Sequence, residues 1–157
     1  MSEFVLRKAT IEDVKPMHRL LSKAAQQGLL LPRSLSSLYT GVRELYVMSS
    51  QDGAELAGCC ALKVFWDDIA EIRSLVVREE LRGHGIGFKL VSACLDEARQ
   101  FNIRKVFSLT YQDVFFRKLG FKEIEKEILP NKIFTDCIHC AKYPDDCDEI
   151  AMLMELA

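Results

Sequence analysis

Arg82, Gly83, Gly85 and Gly87 stand together in RGHGIGFKL, residues 82–90, where glycines occupy alternate positions behind one arginine. Alternate glycines let a backbone take positive φ values and bring bare amides up to a ligand. Where a helix begins directly afterwards, its first N–H groups have no intrahelical partner and its dipole presents a positive end. Such a turn is an anion site, and the Arg82 guanidinium adds a full positive charge at its mouth. A second chemically loaded group is Cys137, His139, Cys140 and Cys147, which read C-x-H-C-x6-C. Three thiolates and one imidazole are an acceptable tetrahedral zinc set, and a structural zinc would order a stretch with little apolar content. The two-pair spacing of common zinc modules is incomplete, so small buried cysteines and a redox cross-link stand beside zinc as alternatives.

These groups need elements to position them. FVLRKA near the start reads as a strand, and Thr10 with Asp13 marks a helix start before Val14, Met17, Leu20, Leu21 and Ala24, an apolar stripe at helical spacing that Gly28 ends. Ser34 can cap a short second helix after Pro32. RELYVMS, ELAGCCALKVFW and IAEIRSLVV follow as β-prone runs separated by QDG and WDD, the pattern of an antiparallel meander. Phe88, Val91, Cys94, Leu95 and Ala98 share one face, which predicts a helix from 88 to about 100 resting on the sheet. KVFSLT is the next strand, VFFRKLGF a short helix closed by Gly120, and FKEIEKEI and EIAMLMEL are the last strands. Cys59, Cys60 and Cys94 fall on core faces. Residues 129–147 carry Pro130 and Pro144 with little periodicity. The expected class is α/β (α+β), a mixed central sheet flanked by helices.

At 157 residues the chain has the length of one domain, expected to span 1–157. Hydrophobic residues at 49%, charged residues at 28% and a formal net charge of −2 suit a globular protein and give no footing for a nucleic-acid partner. The start MSEFVLRKAT lacks the features of a secretory signal, and no apolar run approaches membrane-spanning length. A cytoplasmic protein with no membrane partner is expected, which also sets the six cysteines in a reducing compartment.

Two well-known phosphate loops are excluded by spacing. A P-loop needs Gly-Lys-Ser/Thr at the helix start, whereas Gly87 is followed by Phe88 and Lys89; the dinucleotide fingerprint needs a third glycine where Phe88 or Leu90 stands. The strand IRSLVV, the charged link, Arg-x-x-Gly-x-Gly and then an amphipathic helix instead resemble the acetyl-CoA pyrophosphate loop of the GNAT superfamily of N-acetyltransferases. The order of elements matches that fold along nearly the whole chain.

The resemblance implies acetyl-CoA as co-substrate, its pantetheine arm paired along the backbone of Leu75, Val76 and Val77. Its pyrophosphate would lie in the amides of Gly83, His84, Gly85, Ile86, Gly87 and Phe88, beside Arg82. Acetyl transfer to an amine needs a base, because an ammonium cannot attack, and a carboxylate with a raised pKa suits the task. Glu71, eleven residues before Arg82, matches the catalytic glutamate of histone-acetylating members. Many members also use a tyrosine to protonate the departing thiolate, but FFRKLGF places Phe116 there. That role is vacant, or passes to Tyr111 or to water.

A narrower resemblance covers residues 4–154. QQGLLLPRSLSSLY, LTYQDVFFRKLGF and LPNKIFTDCIHCAKYPDDCDEIAM are similar to segments of the short, single-domain family of bacterial N-acetylglutamate synthases, which begin arginine biosynthesis. It implies L-glutamate as acceptor, with Arg33, in the loop after the first helix, gripping a carboxylate in bidentate fashion. Arg73, on the same strand face as Glu71 by period-two alternation, either holds the second carboxylate or pairs with Glu71; Lys63 on the neighbouring strand is a third cation. Other readings are a related enzyme for another amino acid, a polyamine or a protein N-terminus, and a non-catalytic acetyl-CoA sensor. A homodimer is an admissible assembly.

Overall fold

The computed structural model describes residues 3–129 and 149–156. Seven strands form one mixed sheet: β1 (Phe4–Lys8), β2 (Leu45–Ser50), β3 (Leu56–Val64), β4 (Ile69–Val77), β5 (Lys105–Thr110), β6 (Lys122–Ile124) and β7 (Ile150–Glu155), in the spatial order β1-β2-β3-β4-β5-β7-β6. The helices are α1 (Val14–Gln26), α2 (Leu35–Thr40), α3 (Ile86–Gln100) and α4 (Asp113–Lys118). Every strand pair is antiparallel except β4 with β5.

That one parallel pair is short. Ile69, Ala70 and Glu71 lie opposite Lys105, Val106 and Phe107, and there the register ends, although β4 runs on to Val77 and β5 to Thr110. Beyond Glu71 the strands part, and the sheet opens into a wedge.

Both faces of the sheet are covered, which explains the unbroken apolar run LAGCCAL in β3. Cys60 and Leu62 pack with Leu90, Val91, Cys94 and Ala98 of α3 on one side. Cys59 and Ala61 pack with Val14, Met17 and Leu21 of α1 and Leu38 of α2 on the other. The three cysteines expected in the core are buried there as free thiols. Gly58 is required by close approach: a Cβ would sit 2.5 Å from the Val76 carbonyl oxygen and 3.2 Å from Leu90 Cδ1.

A β-bulge interrupts the β3–β4 ladder. Cys59 faces Val76 and Ala61 faces Arg73, so Cys60 stands against both Ser74 and Leu75. Ser74 has φ +56°, in the left-handed region. An extra residue flips the alternation of everything after it. Ala70 and Ile72 face α3, yet Val76, which would share their face in an unbroken strand, packs with the α1 cluster, while Leu75 and Val77 turn toward the α3 side.

The start of α1 is fixed by charge. Arg7 of β1 grips Asp13 through Nη1–Oδ2 at 2.7 Å and Nη2–Oδ1 at 2.9 Å, while the Thr10 amide donates to Oδ2 at 2.7 Å. Arg7 Nε also donates to Ser49 Oγ at 3.0 Å, tying two strands to the helix. Burial alone would raise the Asp13 pKa, but the bonds from Arg7 and Thr10 outweigh it and hold the carboxyl below its usual value. A depressed folded-state pKa contributes stability that is present above the unfolded value, near 3.9, and is lost as pH falls below it. Asp13→Asn is therefore expected to cost about 2 kcal/mol at neutral pH and to flatten the loss of stability below about pH 4, read by denaturant melts across pH.

Two differences from the sequence reading have physical causes, and one pairing lay outside that reading. Helix α3 starts at Ile86, not Phe88, because Gly85 at φ +82° is its N-cap. FKEIEKEI yields only the strand Lys122–Ile124, followed by a 3-10 turn at Lys126–Ile128. The last strand inserts between β5 and β6, a long-range pairing that local pattern does not encode. Cys137, His139, Cys140 and Cys147 lie outside the described residues; among the described residues no group of three or more His, Cys, Asp or Glu could hold a metal. No helix of the described residues is long and apolar enough to cross a membrane.

Candidate active site

The glycine loop follows β4 directly. Gly83 and Gly85 have φ of +83° and +82°, and a Cβ on either would meet nothing within 4 Å. Their glycines are demanded by backbone conformation, and the space in front of them is open. Gly87 serves packing instead: a Cβ there would lie 3.3 Å from the Phe115 ring. Arg82 folds back so that Nε donates to the Val77 carbonyl at 3.1 Å, and His84 Nδ1 lies 3.1 Å from the Leu81 carbonyl. Ile86, Gly87 and Phe88 form the first turn of α3, where the backbone N–H groups lack intrahelical acceptors. A cavity of about 270 Å³ runs beside this loop along Leu75, Val76 and Val77, bounded by Phe88 and Phe115.

A larger cavity, about 850 Å³, fills the wedge between β4 and β5. It shares Leu29, Leu30, Leu75 and Gln112 with the smaller one, so the two adjoin where β4 leaves its bulge. Arg33, Lys63 and Arg73 line it together with Glu44, Glu71 and Glu149.

Glu71 is 7% exposed and is the last β4 residue still paired with β5. Lys63 lies directly opposite it on β3. Arg73 Nε is 3.3 Å from Glu71 Oε1, so the expected shared face is observed, and of the two roles read for Arg73 the ion pair with Glu71 is present. Lys63 Nζ sits 5.2 Å over the Phe65 ring. Arg33 Nε donates to Ser37 Oγ at 2.7 Å, Nη2 to the Ser37 carbonyl at 3.2 Å, and Nη1 to Ser74 Oγ at 3.0 Å. Ser37 is positioned by α2, whose first turn is capped by Ser34 Oγ accepting from the Ser37 amide at 3.1 Å.

A cleft ending in bare amides, joined to a polar chamber with a buried carboxylate, suits transfer of an acyl group from a long phosphorylated carrier to a small polar acceptor. Comparison with known proteins agrees. The model of the acetyltransferase (GNAT) family matches residues 17–121. The chain belongs to the GNAT family.

This GNAT enzyme is 38% identical over 151 residues to an uncharacterized N-acetyltransferase of Chlorobaculum tepidum, covering 96% of both chains. It is 36% identical over 140 residues to the amino-acid acetyltransferase of Mycobacterium tuberculosis, covering 88% of this chain and 79% of that one. N-acetylglutamate synthase from Neisseria gonorrhoeae, crystallised with coenzyme A and N-acetyl-glutamate, superposes with a TM-score of 0.88 at 25% identity, over 100% of this chain and 36% of that longer one. The enzyme is an acetyl-CoA-dependent GNAT acetyltransferase.

Within this GNAT site the residues singled out in the sequence fall into two groups around one junction: Leu75 to Val77 with Arg82, Gly83, Gly85, Ile86, Gly87 and Phe88 on the small cavity, whose lining does not include His84, and Arg33, Lys63, Glu71, Arg73 and Tyr111 on the large one. Phe116 is buried, its ring edge-on to Phe115 at 5.2 Å and Phe121 at 5.1 Å, and performs packing. Sequence reasoning missed Ser74, Ser37 and Gln112. A serine inside a β-prone run carries no signal of a left-handed backbone, whereas Ser37 was within reach of the capping argument that found Ser34.

Proposed function

We propose that this enzyme acetylates the α-amino group of L-glutamate by direct transfer from acetyl-CoA. The observation that carries the reading is the convergence of Arg33, Lys63 and Arg73 with Glu71 around a cavity adjoining the glycine-loop cleft. A substrate with two carboxylates and one amine needs fixed cations near a proton acceptor. The relative named amino-acid acetyltransferase and the synthase bound to N-acetyl-glutamate support this choice.

Acetyl-CoA would lie with its pyrophosphate in the amides from Gly83 to Phe88 beside Arg82, and its pantetheine arm along Leu75 to Val77. That places the thioester at the junction formed by Leu75 and Gln112. Arg33, with Arg73 and Lys63, would hold the carboxylates. Glu71 takes a proton from the ammonium, the freed amine attacks the thioester carbonyl, the new C–N bond forms and the C–S bond breaks. The departing thiolate takes a proton from Tyr111, which lines the same cavity, and the second proton leaving the acylated nitrogen restores the tyrosine. A thiolate is a weak base, with a pKa of about 8.5, so acid assistance is modest: Tyr111→Phe is expected to lower kcat about tenfold with both KM values nearly unchanged.

Release of free thiol from acetyl-CoA, followed over a panel of amino acids, polyamines and peptides, tests the assignment. Release with L-glutamate supports it. Silence with glutamate and glutamine alongside release with another amine overturns it, and silence with every amine despite acetyl-CoA binding would indicate a non-catalytic reader.

A further inference from the structure

We propose that Ser74 is a positioning residue that couples the acceptor cavity to the acetyl-CoA strand. It sits at the bulge, the point where β4 has already left β5 and where the alternation of its remaining residues is reversed. A left-handed non-glycine residue is conformationally costly and persists only where its surroundings over-determine it. Two contacts do so here. Arg33 Nη1 holds the Ser74 hydroxyl at 3.0 Å, and Cys59 Sγ lies 3.4 Å from the Ser74 carbonyl, placed to donate to it. The Cys59 thiol stays protonated, since burial pushes it up to about 12 despite the opposing charge of Arg33. It is therefore a constant donor at any working pH.

The consequence runs in both directions along the chain of contacts. On the acceptor side, Arg33 is clamped between Ser37 on α2 and Ser74 on β4, and the clamp aims its guanidinium at the cavity. On the cofactor side, the bulge determines which faces and which backbone groups Leu75, Val76 and Val77 present to the small cavity. A single hydroxyl thus joins the residue that grips the acceptor to the segment that lies along acetyl-CoA. Gly41 belongs to the same arrangement, because a Cβ there would sit 2.6 Å from Arg33 Nη2. The proposal rests on the assignment of the large cavity to the acceptor amino acid, but its cofactor half does not depend on which amino acid that is.

Three variants test it, each followed by acetyl-CoA titration calorimetry and by steady-state kinetics with the amino acid that wild-type enzyme acetylates. Ser74→Ala removes the hydroxyl and keeps a Cβ that disfavours the left-handed backbone; it is expected to weaken acetyl-CoA binding about tenfold and raise the acceptor KM about tenfold. Ser74→Gly also removes the hydroxyl but adopts the bulge freely, so acetyl-CoA affinity should return to within about threefold of wild type while the acceptor KM stays raised. Gly41→Ala leaves Ser74 in place, pushes the end of Arg33 aside and should reproduce both defects of Ser74→Ala. A purely structural role would lower thermal stability without separating the two constants in the glycine variant. Equal acetyl-CoA affinity in Ser74→Ala and Ser74→Gly, whether unchanged or equally weakened, overturns the proposal, as does an unaltered Gly41→Ala enzyme. Failure of the glutamate assignment looks different: wild-type enzyme would then bind acetyl-CoA and yet release no thiol with glutamate.

Discussion

Glu71→Gln is expected to lower kcat about 10²- to 10³-fold, because the amide keeps the size and hydrogen-bonding capacity of the side chain and loses the ability to accept a proton. The carboxylate is buried and lies 3.3 Å from Arg73, so part of any loss could come from a displaced arginine. Two measurements separate these effects. Acetyl-CoA affinity should be unchanged, since Glu71 lines the large cavity and not the loop cleft. The variant should also regain rate as pH rises, because bulk water then supplies the free amine that the missing base no longer generates. A rate loss below tenfold, or one with no recovery at high pH, would remove Glu71 from the role of base.

Arg33→Ala is expected to raise the acceptor KM about 100-fold, the scale of a charge-assisted hydrogen-bond pair removed from a partly enclosed site. Arg33→Lys should recover no more than about tenfold of that loss. A lysine is a point charge and cannot span Ser37 and Ser74 as the guanidinium does through three nitrogens. Full rescue by lysine would show that charge alone suffices and that the clamp is incidental. The effect should fall on KM for the acceptor more than on kcat, since the base is left in place, and acetyl-CoA binding should weaken about tenfold through the lost contact with Ser74.

How much of this was legible beforehand depends on the range of the interactions involved. The glycine loop was readable because its conformational demand is local: positive φ at Gly83 and Gly85 followed at once by a helix needs only a few adjacent residues. The stripe Val14, Met17, Leu20, Leu21 and Ala24 was readable for the same reason: four of these side chains are buried and Leu20 is partly buried against the same cluster. Glu71 and Arg73 share a face because strand alternation holds up to the bulge. It fails immediately afterwards, and nothing in SLVV announces that Ser74 turns left-handed or that Val76 changes sides. The insertion of β7 between β5 and β6 was equally hidden, since it depends on pairings such as Phe107 with Leu153 that are far apart in sequence. Where the cations converge is a property of that non-local assembly; their identities alone carried no position.

The brevity of the β4–β5 ladder has a consequence for solubility. A strand whose neighbour stops early offers backbone donors and acceptors to any passing chain, which is how sheets recruit one another into aggregates. Here the open stretch beyond Glu71 lies between two strands of the same sheet, not at its rim. An unpaired stretch set between two strands of one sheet is less open to pairing with another sheet than one at the rim. The fold thereby keeps an unpaired strand segment inside the sheet and away from its rim.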